Sequence, residues 1–225
     1  MSDRRFASSP SEAALDRLQR ILLDMAGRAE DLVRMAVQGL RERDPNAPKL
    51  VRRADDRIDE LEVEMDERVI EFLALQHPLA GDLRLVFVAL KASNDVERIG
   101  DHAVNVAKAS RRMLAHPPLP EVTEAWEMGG QVRRMLSSAL DAMVNRDAEL
   151  ARRVVAEDDR VDDLRNSGTR IIVSYMLEQP RYISPGQEMI LVLQNLERIG
   201  DLATNIAEDV VLLVEGRSIK HGGRA

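Results

Sequence analysis

The chain has 225 residues, of which 44% are hydrophobic and 32% charged. This composition is typical of a folded globular protein and unlike that of a disordered chain. Cysteine is absent, which excludes a disulfide framework, a zinc–thiolate site and a cysteine nucleophile, and the net charge of −7 with only six aromatic residues argues against a nucleic-acid partner.

An internal repeat organises the chain. Residues 94–107 read NDVERIGDHAVNVA and residues 194–207 read QNLERIGDLATNIA, at an offset of 100. Residues 55–61 (DDRIDEL) and 158–164 (DDRVDDL) align at an offset of 103. The second copy therefore lacks three residues between these two regions (103 − 100 = 3), and the sequence predicts a duplicated unit.

Prolines and glycines divide each copy into three segments. In the first copy the breaks fall at Pro45 and Pro48 and again at Pro78, and the run HPPLP at 116–120 marks the boundary between copies. We therefore predict one domain over residues 1–116 and a second over 117–225. The corresponding loop of the second copy is marked by Pro180, Pro185 and Gly186.

The second segment of each copy carries an apolar stripe at alternating spacings of three and four residues, as in an amphipathic helix. Long helices with short connections pack antiparallel, so we predict an all-α fold of two tandem three-helix bundles with six long helices. The same spacing is compatible with a helix that packs against a partner chain. The run 171–173 (IIV) resembles a strand, but its counterpart in the first copy lies in a helical pattern. The stripes are Val51, Ala54, Ile58, Leu61, Met65 and Phe72, and Val154, Val161, Leu164 and Tyr175.

The third segment of each copy presents two faces when it is projected as a helix. Apolar residues form one face, which we predict to be the seam of the bundle: Val96, Ile99, Ala103 and Val106, and Leu196, Ile199, Ala203, Ile206 and Val210. A row of acidic residues, Glu97 with Asp101 and Glu197 with Asp201, forms the opposite face. On the second helix, Asp55 and Asp59, and Asp158 and Asp162, lie at the flank of the apolar stripe.

Two interpretations of these acids remain open at this point. Carboxylates four residues apart on a helix repel each other unless they share a cation. The cations could be neighbouring arginines on a solvated face, Arg57, Arg98, Arg160 and Arg198. Alternatively, each copy could hold a metal ion, and an oxygen-only ligand set favours Mg²⁺, Ca²⁺, Mn²⁺ or ferric iron. Gly100 and Gly200, within the acid pairs, fit a close approach to the helix or ordinary small-residue packing equally well.

Enzymatic alternatives find no support in the residues. A ferritin-like di-iron site needs Glu-x-x-His pairs that face the core, and no histidine of this chain follows a glutamate by three residues. His102 is replaced by Leu202 in the second copy, which argues against a required imidazole ligand. No glycine-rich phosphate loop or Ser-His-Asp pattern is present. We therefore expect a protein that is not an enzyme.

The ERIGD motifs and the paired aspartates resemble the PhoU family of phosphate-transport accessory and phosphate-signalling proteins, over essentially the whole chain. The resemblance implies tandem three-helix bundles in which Asp55, Asp59, Glu97, Asp101, Asp158, Asp162, Glu197 and Asp201 bind clusters of iron, zinc, manganese or magnesium ions. It departs at one position, where Lys108 stands opposite Glu208 of the second copy. Equal metal loading of the two sites is therefore in question.

The resemblance also implies a function and partners. It implies a cytoplasmic negative regulator that couples the ATPase side of a phosphate ABC transporter to a sensor histidine kinase, and that forms a homodimer or a higher homo-oligomer. An alternative is a metal-dependent protein that senses phosphate directly, and a metal-free helical scaffold is a third possibility. No signal peptide and no apolar stretch of membrane-spanning length is seen, so we expect no membrane insertion.

Overall fold

The computed structural model describes residues 10–76, 78–217 and 219, so the outermost residues of both predicted domains lie outside the described part. Within that part the chain forms helices and no strand. The prediction of an all-α fold with two tandem three-helix bundles is confirmed. The helices are α1 (Pro10–Glu42), α2 (Ala47–Leu75), α3 (Ala80–Met113), α4 (Thr123–Asn145), α5 (Ala148–Ala156), α6 (Asp158–Glu178) and α7 (Ile183–Glu215), with a 3₁₀ turn at Pro180–Tyr182.

The two copies pack against each other along α3 and α7. Three polar pairs follow this seam: Lys91 with Asp209, His102 with Asn195, and Arg112 with Glu188. Because the residue numbers of the partners on α7 decrease as those on α3 increase, the two helices run antiparallel. A single cluster of buried apolar side chains extends through both copies, so the bundles share one hydrophobic core. Helix α1 also packs against α4.

The second helix of the second copy is divided, so the prediction of six long helices is wrong by one break. Helix α5 ends at Ala156 and α6 begins at Asp158, whereas α2 is continuous. At the break the backbone N–H of Glu157 donates to the carbonyl of Val154, an i→i−3 bond in place of the α-helical one. The Glu157 carboxylate accepts a hydrogen bond of 2.7 Å from Gln131 on α4. The first copy has Ala54 at this position, which cannot make that bond.

The loop between the second and third helices of the second copy is shorter than its prolines predict. Pro185 and Gly186 are buried in the first turn of α7, where proline is tolerated because the first helical N–H groups lack intrahelical acceptors. A Cβ atom at Gly186 would lie 2.6 Å from Cε of Met176 on α6. Glycine at this position therefore allows α7 to start in close contact with the end of α6.

Burial confirms most of the predicted stripes. Every residue of the predicted seam on α3 and on α7 is buried. On the second helices, Val51, Ile58 and Leu61 are buried, whereas Leu164 and Tyr175 are only partly buried. The run 171–173 lies within α6, as the repeat predicts.

The difference in burial between Leu61 and Leu164 predicts a difference in stability. Leu61→Ala should lower the free energy of unfolding by about 2–5 kcal/mol, as truncation of a fully buried leucine does. Leu164→Ala should cost less, because part of its side chain already contacts solvent. Urea denaturation measures both, and Val63→Ala on the exposed face of α2 is the control. A Leu61→Ala cost below about 1 kcal/mol would show that α2 does not pack as described.

Candidate metal centre

The antiparallel packing of α2 on α3, and of α6 on α7, brings the predicted acids together in two groups. The Asp55 carboxylate lies against Gly100 on α3, and the negative charge of Asp59 acts on Glu97. In the second copy, Thr204 on α7 donates a hydrogen bond of 3.3 Å to Asp158. We call Asp55, Asp59, Glu97 and Asp101 the first cluster, and Asp158, Asp162, Glu197 and Asp201 the second cluster.

Asp55 is the most buried member of either cluster, with 1% of its surface exposed. Its Oδ2 atom lies 3.4 Å from Arg52, and its Oδ1 atom has no hydrogen-bond partner. A Cβ atom at position 100 would overlap Oδ1. Glycine is therefore required at Gly100 because a carboxylate from α2 occupies the space of a side chain.

Gly200 has a different role, although it is the repeat counterpart of Gly100. A Cβ atom there would lie 3.3 Å from Val161 and 3.5 Å from Val132, which is tight apolar packing. A close approach to the helix therefore explains Gly100, whereas ordinary small-residue packing explains Gly200.

The glutamates of the two clusters are less exposed to solvent than expected for a row of acids on the face opposite the seam. Glu97 and Glu197 are partly buried where α3 meets α2 and where α7 meets α6, and only 17% of the Glu197 side chain is exposed. Asp59, Asp101 and Asp162 are about half exposed. The seam prediction failed here because it placed the acids relative to one neighbouring helix, whereas α3 packs against α1, α2 and α7, and α7 packs against α3, α4, α5 and α6.

Burial and mutual repulsion raise the pKa values of four cluster members. Burial first, and the charge of Asp59 second, raise the pKa of Asp55 to about 6. Burial, with the charges of Asp101 and Glu62, raises the pKa of Glu97 to about 7. In the second cluster burial and Asp201 raise the pKa values of Asp158 and Glu197, opposed by the Thr204 hydrogen bond and by arginines. Both clusters therefore have a deficit of positive charge.

One guanidinium lies within the first cluster. Arg52, one turn before Asp55 on α2, is half exposed and makes four long ion pairs. Long pairs of an exposed side chain contribute little stability, so Arg52 is a weakly held counterion. Its guanidinium nitrogens lie 3.4 Å from Asp55, 3.4 Å from Asp56, 3.6 Å from Asp59 and 4.0 Å from Asp101.

Two guanidiniums lie at the second cluster. Arg165 on α6 lies 3.8 Å from Asp162 and 4.0 Å from Glu197. Arg198 lies 3.0 Å from Asp201 and 3.8 Å from Glu197. The two copies thus balance their carboxylates with different residues.

Of the four arginine partners proposed from the sequence, only Arg198 contacts a cluster. Arg57 pairs with Glu60, Arg98 with Asp95 and Arg160 with Glu127. The sequence analysis missed Arg52 and Arg165. Their spacing could have revealed both, because each lies three residues from a cluster aspartate and on the same helical face.

The residues present fit a hard cation in their chemistry. The donors are all carboxylate oxygens, which suit Mg²⁺, Mn²⁺ or ferric iron, and Asp55 offers a buried oxygen without a partner. Within the described residues, however, no three Asp, Glu or His side chains already stand close enough to share one metal ion. Binding therefore requires side-chain rotation and displacement of the guanidinium.

The unequal surroundings of the two glycines can be tested by substitution. Gly100→Ala should destabilise the protein by about 1–3 kcal/mol, because the new methyl group meets a buried carboxylate. Gly200→Ala should stay within about 1 kcal/mol of wild type, since the gain in helix propensity offsets the tight contact with Val161. Urea denaturation measures both, and Asp55→Ala should remove most of the Gly100→Ala cost. An equal effect at both glycines would contradict this description.

The raised pKa of Glu97 predicts a pH-dependent effect in metal-free protein. A carboxyl group whose pKa is higher in the folded state favours folding when protonated, and this contribution is lost as the pH rises from about 4.5 through about 7. With chelator at pH 8, Glu97→Gln should therefore be more stable than wild type by about 1–2 kcal/mol, after allowance for solvent screening. The gain should vanish near pH 4.5. A pH-independent difference, or the same gain in the exposed control Glu67→Gln, would refute the assignment.

Both copies of the repeat match a known protein family. The PhoU domain family matches residues 22–110 and 125–210, which include all eight cluster acids. A protein of Pseudomonas aeruginosa, named phosphate-specific transport system accessory protein PhoU homolog, is 39% identical over 217 residues, covering 96% of this chain and 90% of that protein. A Clostridium acetobutylicum protein of the same name is 34% identical, covering 92% of this chain and 95% of that protein.

Solved structures match over a similar length. The crystal structure of PhoU from Pseudomonas aeruginosa has a TM-score of 0.87 and 40% identity, covering 91% of this chain and 98% of that chain. The phosphate transport system regulatory protein PhoU from Streptococcus pneumoniae also has a TM-score of 0.87, with 26% identity and coverage of 93% and 99%. None of the described helices is long and apolar enough to cross a membrane. The chain belongs to the PhoU family.

Proposed function

We propose that this chain is an accessory regulator of phosphate transport. The supporting observation is that relatives named as accessory proteins of the phosphate-specific transport system align with almost the whole chain. Alignment over at least 90% of this chain and of each of these two relatives favours a shared role. The partner that this role requires is a phosphate transporter, which the regulator contacts at its cytoplasmic ATPase side.

The finer proposal is negative regulation of phosphate-starvation genes. In this proposal the protein is cytoplasmic and not an enzyme, forms a homo-oligomer, and couples the transporter to a sensor histidine kinase when phosphate is plentiful. The long helices support it as a docking scaffold, because amphipathic helices such as α1, α3 and α7 present charged outer faces over 33–34 residues. The family resemblance supports the kinase as the second partner.

We also propose that the two acid clusters bind metal ions. Asp55, Asp59, Glu97 and Asp101 would hold one site, and Asp158, Asp162, Glu197 and Asp201 the other. A bound cation would supply the positive charge that the raised pKa values of Asp55 and Glu97 show to be lacking. Carboxylates of α2 and α3, and those of α6 and α7, would then bind the same ion. This would join the two helices of each pair and stiffen the surface that a partner contacts.

This proposal predicts a stability gain from metal that depends on the clusters. Each site at which the divalent metal stands at a hundred times the dissociation constant should add about 2.7 kcal/mol to the unfolding free energy of wild type. The quadruple alanine variant of Glu97, Asp101, Glu197 and Asp201 should fold but show no gain. Thermal unfolding with and without chelator measures this, on protein purified without an affinity tag. The matched control carries alanine at four exposed acids outside the clusters, Glu67, Glu121, Asp163 and Glu178.

The regulatory role is tested in cells with the same two variants. The quadruple variant should derepress a phosphate-starvation reporter in high phosphate, whereas the control variant should repress it normally. Normal repression by a variant that has lost metal would separate the metal sites from regulation. Failure of the wild-type gene to repress the reporter in a strain lacking its own PhoU would contradict the regulatory role itself. Phosphate binding by the isolated metal-loaded protein would instead favour direct sensing.

A further inference from the structure

The two clusters differ at the next turn of the helix beyond their aspartates. Glu62 on α2 and Arg165 on α6 are repeat counterparts at the offset of 103 (62 + 103 = 165). Each lies three residues beyond an aspartate of its cluster, Asp59 or Asp162, and therefore on the same face of its helix. One copy thus places a carboxylate where the other places a guanidinium.

Arg165 is held among the carboxylates of the second cluster. Its guanidinium bridges Asp162 on its own helix and Glu197 on α7. Only 33% of the side chain is exposed, and its buried Nε atom has no hydrogen-bond partner among the described residues. Its positive charge opposes the rise in the pKa of Glu197. Arg165 therefore occupies the position of a cation that is shared between the two helices.

Glu62 has the opposite effect in the first cluster. Its carboxylate accepts a hydrogen bond of 3.3 Å from Asn94 on α3, and its charge adds to the repulsion on Glu97. It also lines an open groove of about 390 Å³ between α2 and α3. Glu62 thus extends the first cluster to five carboxylates.

The remaining counterions do not remove this difference. Arg52 of the first cluster is 51% exposed, against 33% for Arg165, so solvent screens its ion pairs more and its displacement costs less, although the Arg165 distances of 3.8 and 4.0 Å are no shorter. Its repeat counterpart is Val155, and the second cluster has Arg198 in addition to Arg165. With Glu62 included, the first cluster sets five carboxylates against one guanidinium, whereas the second sets four against two. With every carboxyl group ionised, the formal net charges are −4 and −2 (−5 + 1 and −4 + 2).

We infer that Glu62 and Arg165 determine how the two clusters divide a divalent metal between them. The first cluster binds the ion more tightly, and the Arg165 guanidinium takes the place of the ion in the second. The inference rests on the proposed metal-binding function. It differs from the asymmetry at Lys108 and Glu208, because it depends on residues that directly neighbour the cluster acids.

The test isolates the second cluster and reverses the charge at Arg165. Protein with Glu97→Ala and Asp101→Ala has only the second cluster intact and is titrated with Mn²⁺, with bound ion followed by electron paramagnetic resonance. Adding Arg165→Glu should tighten Mn²⁺ binding at least tenfold. The matched control is Arg170→Glu, which makes the same charge change at an exposed position further along α6 and should alter affinity less than twofold.

A reciprocal variant and a second readout separate the possible failures. With the second cluster removed by Glu197→Ala and Asp201→Ala, Glu62→Arg should weaken Mn²⁺ binding at the first cluster at least tenfold. Without metal, Arg165→Glu should lower the melting temperature, because it removes the counterion, and Mn²⁺ should restore it. If wild type binds Mn²⁺ but Arg165→Glu and Arg170→Glu have equal effects on affinity, the inference about Glu62 and Arg165 is wrong and the proposed metal sites stand. Absence of Mn²⁺ binding by wild type and by every variant would overturn the metal sites as well.

Discussion

Like charges are buried beside an apolar core where α2 packs on α3. Helix α2 cannot pack on α3 without enclosing the Asp55 carboxylate, and it does so against Gly100, where no side chain competes for the space. An unpaired carboxylate in this setting opposes folding unless it is protonated or shares a cation. The choice of counterion, whether guanidinium, proton or metal, therefore sets the stability of the helix pair.

The antiparallel seam of α3 and α7 makes this arrangement possible twice in one molecule. Each of these helices packs against the other along the seam and, within its own copy, against the first and second helices. The polar pairs along the seam, such as Lys91 with the buried Asp209, cross between copies and lack repeat counterparts. They specify how the copies pair without engaging the acid clusters. A change in the counterion of one cluster can thus alter one bundle while the seam stays intact.

Much of this architecture is readable in the sequence, because duplication shows each signal twice. The ERIGD motifs and the apolar stripes predict the bundles, the seam and all eight cluster acids. The features that escaped prediction are those in which the copies differ. The break at Glu157 depends on a bond to Gln131 from another helix. The spacing of Arg52 and Arg165 indicates their partners on the same helix, whereas their contacts with Asp101 and Glu197 depend on tertiary packing. Helical projection alone also underestimated the burial of Glu97 and Glu197, because burial is set by several neighbouring helices together.

We propose that each acid cluster is a cation site that spans two helices and that arginine occupies it when no metal is bound. X-ray diffraction from crystals of the full chain grown with Mn²⁺, recorded for the anomalous signal of manganese, is the decisive experiment. We expect anomalous peaks between α2 and α3, stronger than any between α6 and α7, with the Arg52 guanidinium moved away from Asp55 and Asp59. Anomalous peaks that lie only elsewhere on the surface, with Arg52 still in place among the carboxylates, would contradict this proposal.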